Sequence, residues 1–190
     1  MLKNIKFETS VFSKDKIVKT DLPQIVLVGK SNVGKSSFIN ALANHNSLAK
    51  VGQTPGKTKC LNYYNVDNKF YIVDLPGYGY STMTKKEKEQ TSLLINKYIE
   101  NSKLIRHIFF IVDIRHNPTS DDKIMYNWLI SKNIPFTIIA NKSDKIAKTK
   151  LDEYCLNITK KLFAKEDIIA FSSKDKNNLE KIEQIINEVC

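Results

Sequence analysis

The chain has 190 residues, enough for one domain with a sizeable core, and 42% of them are hydrophobic, which argues against intrinsic disorder. No run approaches the roughly 18 apolar residues of a membrane-crossing helix, residues 1–6 (MLKNIK) hold no signal-like apolar core, and three scattered cysteines make neither a disulfide framework nor a metal knuckle. An integral membrane protein and a secreted disulfide scaffold are excluded, and a cytoplasmic location is expected.

Thirty basic against 20 acidic residues give a net charge of +10. The excess is uneven: residues 1–66 carry +7, and no acidic residue lies between Leu22 and Val66. That asymmetry suits a polyanionic partner, although 28 Lys against two Arg (Arg106 and Arg115) also fits a general lysine bias.

In chain order, residues 1–20 read as an N-terminal extension or an added strand, since Ile5 to Val11 partly alternates. Gln24 to Val28 is a short apolar run ending at Gly29, the mark of a buried parallel strand. A helix is expected over Lys35 to Ala43. Leu61 to Asn65 and Phe70 to Val73 flank Asp67-Asn68-Lys69, a hairpin turn. A helix over Lys85 to Asn101 leads to an apolar strand, Ile108 to Val112. Ser120 to Lys132 is helical, with Thr119 or Ser120 as its cap and Asp121 and Asp122 in its first turn. A strand over Phe136 to Ala140, a helix over Lys150 to Phe163, a short strand Ile168 to Phe171 and a helix over Leu179 to Val189 complete the chain. This alternation predicts one α/β domain over 1–190. Its sheet is mostly parallel with one antiparallel edge strand and has helices on both faces, the P-loop NTPase class.

Ligands of such sheets bind at the carboxyl ends of the strands, so the loops there carry the chemistry. Gly29-Lys30-Ser31-Asn32-Val33-Gly34-Lys35-Ser36 has the spacing G-x-x-x-x-G-K-S between a strand and a helix, and Ser37 follows. Its backbone N–H groups and helix N-terminus can wrap a phosphate, Lys35 can reach the outer phosphates, and Ser36 can ligate Mg²⁺. Asp74-Leu75-Pro76-Gly77 ends the next strand. Its carboxylate can hold Mg²⁺ through water, and the Gly77 N–H can approach a γ-phosphate.

Asn141-Lys142-Ser143-Asp144 separates guanine from adenine. The Asp144 carboxylate accepts from both guanine donors, whereas adenine would leave it unsatisfied. Lys142 can lay its stem over the base, and Asn141 can tie the loop to the phosphate side. Phe171-Ser172-Ser173 would complete the base pocket through backbone N–H groups.

Together these loops resemble the translation-factor-like P-loop GTPases over nearly the whole chain. More specifically, the run from Gly29 to Asn40, Thr54-Pro55-Gly56-Lys57-Thr58 and Asp74-Leu75-Pro76-Gly77-Tyr78-Gly79-Tyr80 resemble the EngB family of bacterial ribosome-assembly GTPases. Asn141 departs from that family's frequent Thr toward the commoner GTPase pattern. The resemblance implies binding and hydrolysis of GTP to GDP, Mg²⁺ held by Ser36, Thr58 and Asp74, and a switch role in large-subunit assembly. It also places Gly56, Lys57 and Thr58 at the nucleotide. Thr54 and Thr58 both suit the first switch, and Thr58 matches the family's switch residue. The implied catalytic set is Lys35, Thr58 and Gly77, with Asn32 added if K⁺ bridges the phosphates as in GTPases with Asn at that place. Otherwise Asn32 is a turn-tolerant loop residue.

Tyr78 stands where many GTPases place a water-orienting Gln, so slow intrinsic hydrolysis is expected. Neither arginine lies in a switch segment. Tyr78 and Tyr80 either pack under the switch or stack on RNA. Lys50, Lys57 and Lys59 form a basic rim suited to ribosomal RNA, ribosomal protein contacts are expected beside it, and a monomer without membrane association is expected. A signalling or membrane-associated GTPase, a nucleic-acid ATPase and an RNA-binding module with negligible turnover are the alternatives.

Overall fold

The computed structural model describes residue 2 and residues 4–50, 60–79, 84–101 and 103–190 of the chain. Seven strands form one sheet in the order β1-β3-β4-β2-β5-β6-β7. They are β1 (Ile5–Val11), β2 (Gln24–Gly29), β3 (Leu61–Val66), β4 (Phe70–Asp74), β5 (Ile105–Asp113), β6 (Phe136–Asn141) and β7 (Ile168–Phe171). The helices are α1 (Lys35–Leu42), α2 (Lys85–Asn101), α3 (Ser120–Lys132), α4 (Leu151–Leu162) and α5 (Leu179–Val189).

Only β3 runs against the others. It pairs antiparallel with β4 on one side and with β1 on the other. The extension expected to add a strand or cross the surface therefore adds one, and it lies outside the reversed strand. The β3–β4 turn forms because Asp67 and Asn68 both adopt positive φ (52° and 56°), and the Lys69 N–H closes onto the Val66 carbonyl at 2.9 Å. Two successive left-handed residues match the twist of a hairpin, and Asp and Asn accept that geometry readily.

Both faces of the sheet are covered, which is why β2 and β4 are buried at every position. On one face, Phe38, Ile39 and Leu42 of α1 and Ile182 and Ile186 of α5 pack on Ile25, Leu27, Phe109, Ile111 and Ile139. On the other, Leu94 and Tyr98 of α2, Tyr126 and Leu129 of α3 and Ile158 of α4 pack on Val26, Val28, Val73, Phe110 and Ile138. α3 starts at a reciprocal cap: Thr119 accepts from the Asp122 N–H, and Asp122 accepts from the Thr119 N–H. Among the described residues no helix is long and apolar enough to cross a membrane.

Candidate nucleotide site

The strand register brings the loops together. Leu27 pairs with Asp74, Gly29 with Ile111, Asp113 with Asn141, and Asn141 with Phe171. The carboxyl ends of β2, β4, β5, β6 and β7 therefore share one edge of the sheet, flanking β2 where the chain direction across the sheet reverses.

The segment from Lys30 to Gly34 wraps the start of α1. Asn32 (φ 64°) and Gly34 (φ 103°) are both left-handed, so Asn32 has a conformational reason for its identity independent of any ion. A Cβ at position 34 would also lie 2.3 Å from the Asn141 Nδ2, which makes glycine obligatory there. Gly34 caps α1 without a side chain, leaving the helix N-terminus and its N–H donors facing outward with Ser36 and Ser37 half-buried beside it.

Lys35 is buried, and its Nζ lies 3.8 Å from the Asp74 Oδ1, an ion pair too long for a hydrogen bond. That Asp74 oxygen has no hydrogen-bond partner among the described residues. Burial pushes the Asp74 carboxyl above its usual range despite Lys35 nearby. A buried, under-satisfied carboxylate beside Lys35, the residue before Ser36, offers with the Ser36 hydroxyl a set of hard oxygen donors that a divalent cation such as Mg²⁺ fits chemically.

Beyond Asp74, Leu75 is core and its N–H bonds the Leu27 carbonyl at 3.0 Å, while Pro76 is buried. Gly77 lies against the phosphate loop. A Cβ there would stand 3.0 Å from both the N and the Oγ of Ser31.

The base loop is tied across to the phosphate loop. Asn141 Nδ2 donates to the Val33 carbonyl at 2.8 Å, and Lys142 Nζ donates to the Asn32 carbonyl at 2.7 Å. Lys142 also pairs with Asp113 at 2.9 Å, and Arg115 grips the same carboxylate through its Nε at 2.9 Å and Nη2 at 2.7 Å. Burial would raise the Asp113 pKa, but these hydrogen bonds outweigh it and hold the carboxyl down at about 2. Asp144 accepts from the Ser172 hydroxyl at 3.1 Å and pairs with Lys145 at 3.2 Å. Here too burial works upward, and the two partners win and lower the pKa. Ser172 in turn accepts from the N–H groups of Lys174 and Asp175. Ser143 is buried, and the Ser173 hydroxyl is buried without a partner. Phe171 is fully buried with its ring 5.1 Å from that of Phe38, so only its backbone faces the loops. Between the two sides lies a cleft of about 340 Å³, lined by Gly34, Ser37, Asn141, Lys142, Asp144, Ser173 and Lys174 among others.

Gly56, Lys57 and Thr58, with Thr54, Lys59 and Tyr80, lie outside the described residues. The contacts of three residues at the site, Asp113, Arg115 and Asp122, were not read from the sequence: Asp113 meets Arg115 and Lys142, and Asp122, placed only as a first-turn acid, meets Tyr78. The first two follow an apolar strand, and the signal was an Asp-x-Arg pair at its carboxyl end, readable only once that strand is placed beside Asn141.

A mostly parallel sheet with a G-x-x-x-x-G-K-S loop at its centre and an Asn-Lys-x-Asp loop tied to it defines a P-loop GTPase. Residues 24–142 match the 50S ribosome-binding GTPase family. The chain is 42% identical over 189 residues to the probable GTP-binding protein EngB of Thermoanaerobacter pseudethanolicus, covering 98% of each protein. It is 40% identical over 190 residues to that of Clostridioides difficile, covering 98% of this chain and 94% of the relative. A crystal structure of a probable EngB protein superposes with a TM-score of 0.71 at 26% identity, over 87% of this chain and 97% of that one. The chain belongs to the EngB family of GTP-binding proteins.

Proposed function

We propose that this protein is a GTP-driven switch that acts in assembly of the large ribosomal subunit, as a monomeric single domain in the cytoplasm. The description of its family as a 50S ribosome-binding GTPase carries this reading. The +7 charge of residues 1–66 supports it, because that segment contains the first switch and would meet ribosomal RNA or protein.

In this reading Gly29 to Ser37 cradle the phosphates, with Lys35 offsetting their charge. Asp144 takes the guanine edge, Lys142 covers its face, and the backbone of Phe171 to Ser173 closes the pocket. Ser36 and Asp74, joined by Thr58, would hold Mg²⁺, which when bound neutralises charge on the outer phosphates. Gly77 and Thr58 sense the γ-phosphate, and Lys57 lies at the nucleotide. Hydrolysis is slow because the position after Gly77 offers a phenol already committed to Asp122 (2.6 Å) instead of an amide that could orient water. Asn32 would hold K⁺, which when bound would add positive charge at the phosphates. Single-turnover hydrolysis is then faster in K⁺ than in Na⁺ at equal ionic strength, and Asn32→Ala removes the difference.

The test is co-sedimentation of the full chain with separated ribosomal subunits, with a GTP analogue, GDP or neither, over a salt series. The expected result is binding to the large subunit that is strongest with the analogue and weakens steeply with salt. Binding indifferent to both nucleotide and salt would overturn the switch reading.

A further inference from the structure

Tyr78, the residue after Gly77, is fastened at both ends. Its carbonyl accepts from the Ser31 N–H at 3.0 Å and from the Ser31 hydroxyl at 3.2 Å, so its backbone is laid onto the phosphate loop. Its ring packs against the core layer that contains α2, α3 and α4. Its hydroxyl donates to Asp122 Oδ1 at 2.6 Å, a bond joining positions 44 apart in sequence.

Asp122 is buried and well held. Its second oxygen accepts from the Thr119 N–H at 2.8 Å and the Thr119 hydroxyl at 2.7 Å, so the carboxylate is a fixed post at the start of α3. Burial, followed by the charge of Asp122, pushes the Tyr78 hydroxyl well above its usual pKa, so it stays a proton donor to that carboxylate.

Gly77 lies close against Ser31, between the Leu75 N–H, held by the Leu27 carbonyl at 3.0 Å, and the two fastenings of Tyr78. With the chain held on both sides of Gly77, a change in its backbone works against the Tyr78 contacts to Ser31 and Asp122. We propose that the Tyr78 hydroxyl, through Asp122, is a positioning device that holds the Gly77 N–H toward the γ-phosphate and so sets how tightly the triphosphate is held relative to the diphosphate. The inference rests on the reading of Gly77 as the γ-phosphate contact.

A phenol–carboxylate bond serving only to cap α3 would stabilise the fold and leave both nucleotides alike. A positioning bond acts on the triphosphate alone, because GDP has no group to meet Gly77. The experiment measures affinity for GDP and for a non-hydrolysable GTP analogue, together with the thermal midpoint, in the full chain and three variants. Tyr78→Phe keeps the ring and removes only the hydroxyl. It should leave GDP affinity within about twofold and weaken the analogue about tenfold, the loss of one charge-assisted hydrogen bond's orienting effect. Asp122→Asn retains an acceptor oxygen and should fall between Tyr78→Phe and the unaltered chain. Gly77→Ala should weaken the analogue more than GDP, since its Cβ, 3.0 Å from Ser31, presses on the shared phosphate loop and also shifts the Gly77 N–H from the γ-phosphate position. Equal weakening of both nucleotides by Tyr78→Phe, or none, overturns the positioning role while Gly77→Ala remains selective. If Gly77→Ala itself shows no selectivity, the γ-phosphate reading falls and takes this inference with it.

Discussion

On the base side of the site, the protein satisfies its own charges: Asp144 by Ser172 and Lys145, Asp113 by Arg115 and Lys142, and Lys142 again by the Asn32 carbonyl. On the phosphate side it does not. Asp74 keeps a buried oxygen without a hydrogen bond, and Lys35 stands 3.8 Å from it. The charged groups of the base loop are therefore held by the protein, although the Asn141 Oδ1 and the Ser173 hydroxyl are buried without partners among the described residues, while in the proposed reading the phosphate loop leaves charge for a ligand to complete. Base choice is common to GTP and GDP and belongs on the rigid side. The γ-phosphate is what differs between them, and in the proposed reading Gly77, three residues after Asp74, would sense it.

The largest effect should come from the unfinished side. Lys35→Ala should weaken both nucleotides at least about 100-fold, since charged contacts to phosphate are each worth roughly 1.5–3 kcal/mol. The fold should survive, although the ligand-free thermal midpoint should fall, because buried Asp74 loses its nearest cation. A binding isotherm unchanged by this substitution would place the phosphates elsewhere.

Next comes Asp144→Asn. GTP affinity should drop by about 30-fold, and xanthosine triphosphate should become the better ligand, because an amide donates to the xanthine carbonyl where a carboxylate only accepts. Competition between the two nucleotides reads this directly, and a retained preference for GTP would remove Asp144 from the base pocket.

Asp113→Asn tests whether the base side owes its rigidity to this carboxylate. It leaves Lys142 its bond to Asn32 but weakens the charged anchor. We expect roughly fivefold weaker binding, equal for GDP and a GTP analogue, with guanine selectivity intact. An effect on the triphosphate alone would show that the two sides are not separable as described.

The smallest effect on binding belongs to His107, in β5 and hydrogen-bonded to Thr137 at 3.0 Å. Burial lowers its pKa to about 4. Between pH about 6.5 and 4 the unfolded chain binds this proton and the folded chain does not, so stability falls as pH drops through that window, by about 1.4 kcal/mol per pH unit at most. His107→Gln should flatten that slope in denaturant titrations while nucleotide affinity at neutral pH stays the same. A slope unchanged by the substitution would assign the acid sensitivity to other groups.

Much of the fold was legible in the sequence because its signals are local. Helix bounds at 85–101, 120–132 and 179–189 followed from periodicity and caps, and the Asp67-Asn68 turn from residues that tolerate positive φ. The phosphate and base loops were legible for the same reason: each chemistry is carried by a few adjacent residues in a turn whose glycine or asparagine fixes the backbone. The Asn141 tie to the phosphate loop was anticipated in kind, but its acceptor, the Val33 carbonyl, was not.

What the sequence could not decide is what depends on pairing between distant strands. The place of β1 outside β3 follows from which strand edge is free once the others have packed. Asp113 meets Lys142 only because β5 and β6 are neighbours in register, and Tyr78 reaches Asp122 only because α3 packs beneath the loop after β4. Composition and spacing along the chain determine the elements and the chemistry of each loop. Which loops face one another, and so which side chains are fixed and which wait for a ligand, is set by register and layer packing, where the interaction energy lies between residues far apart in sequence.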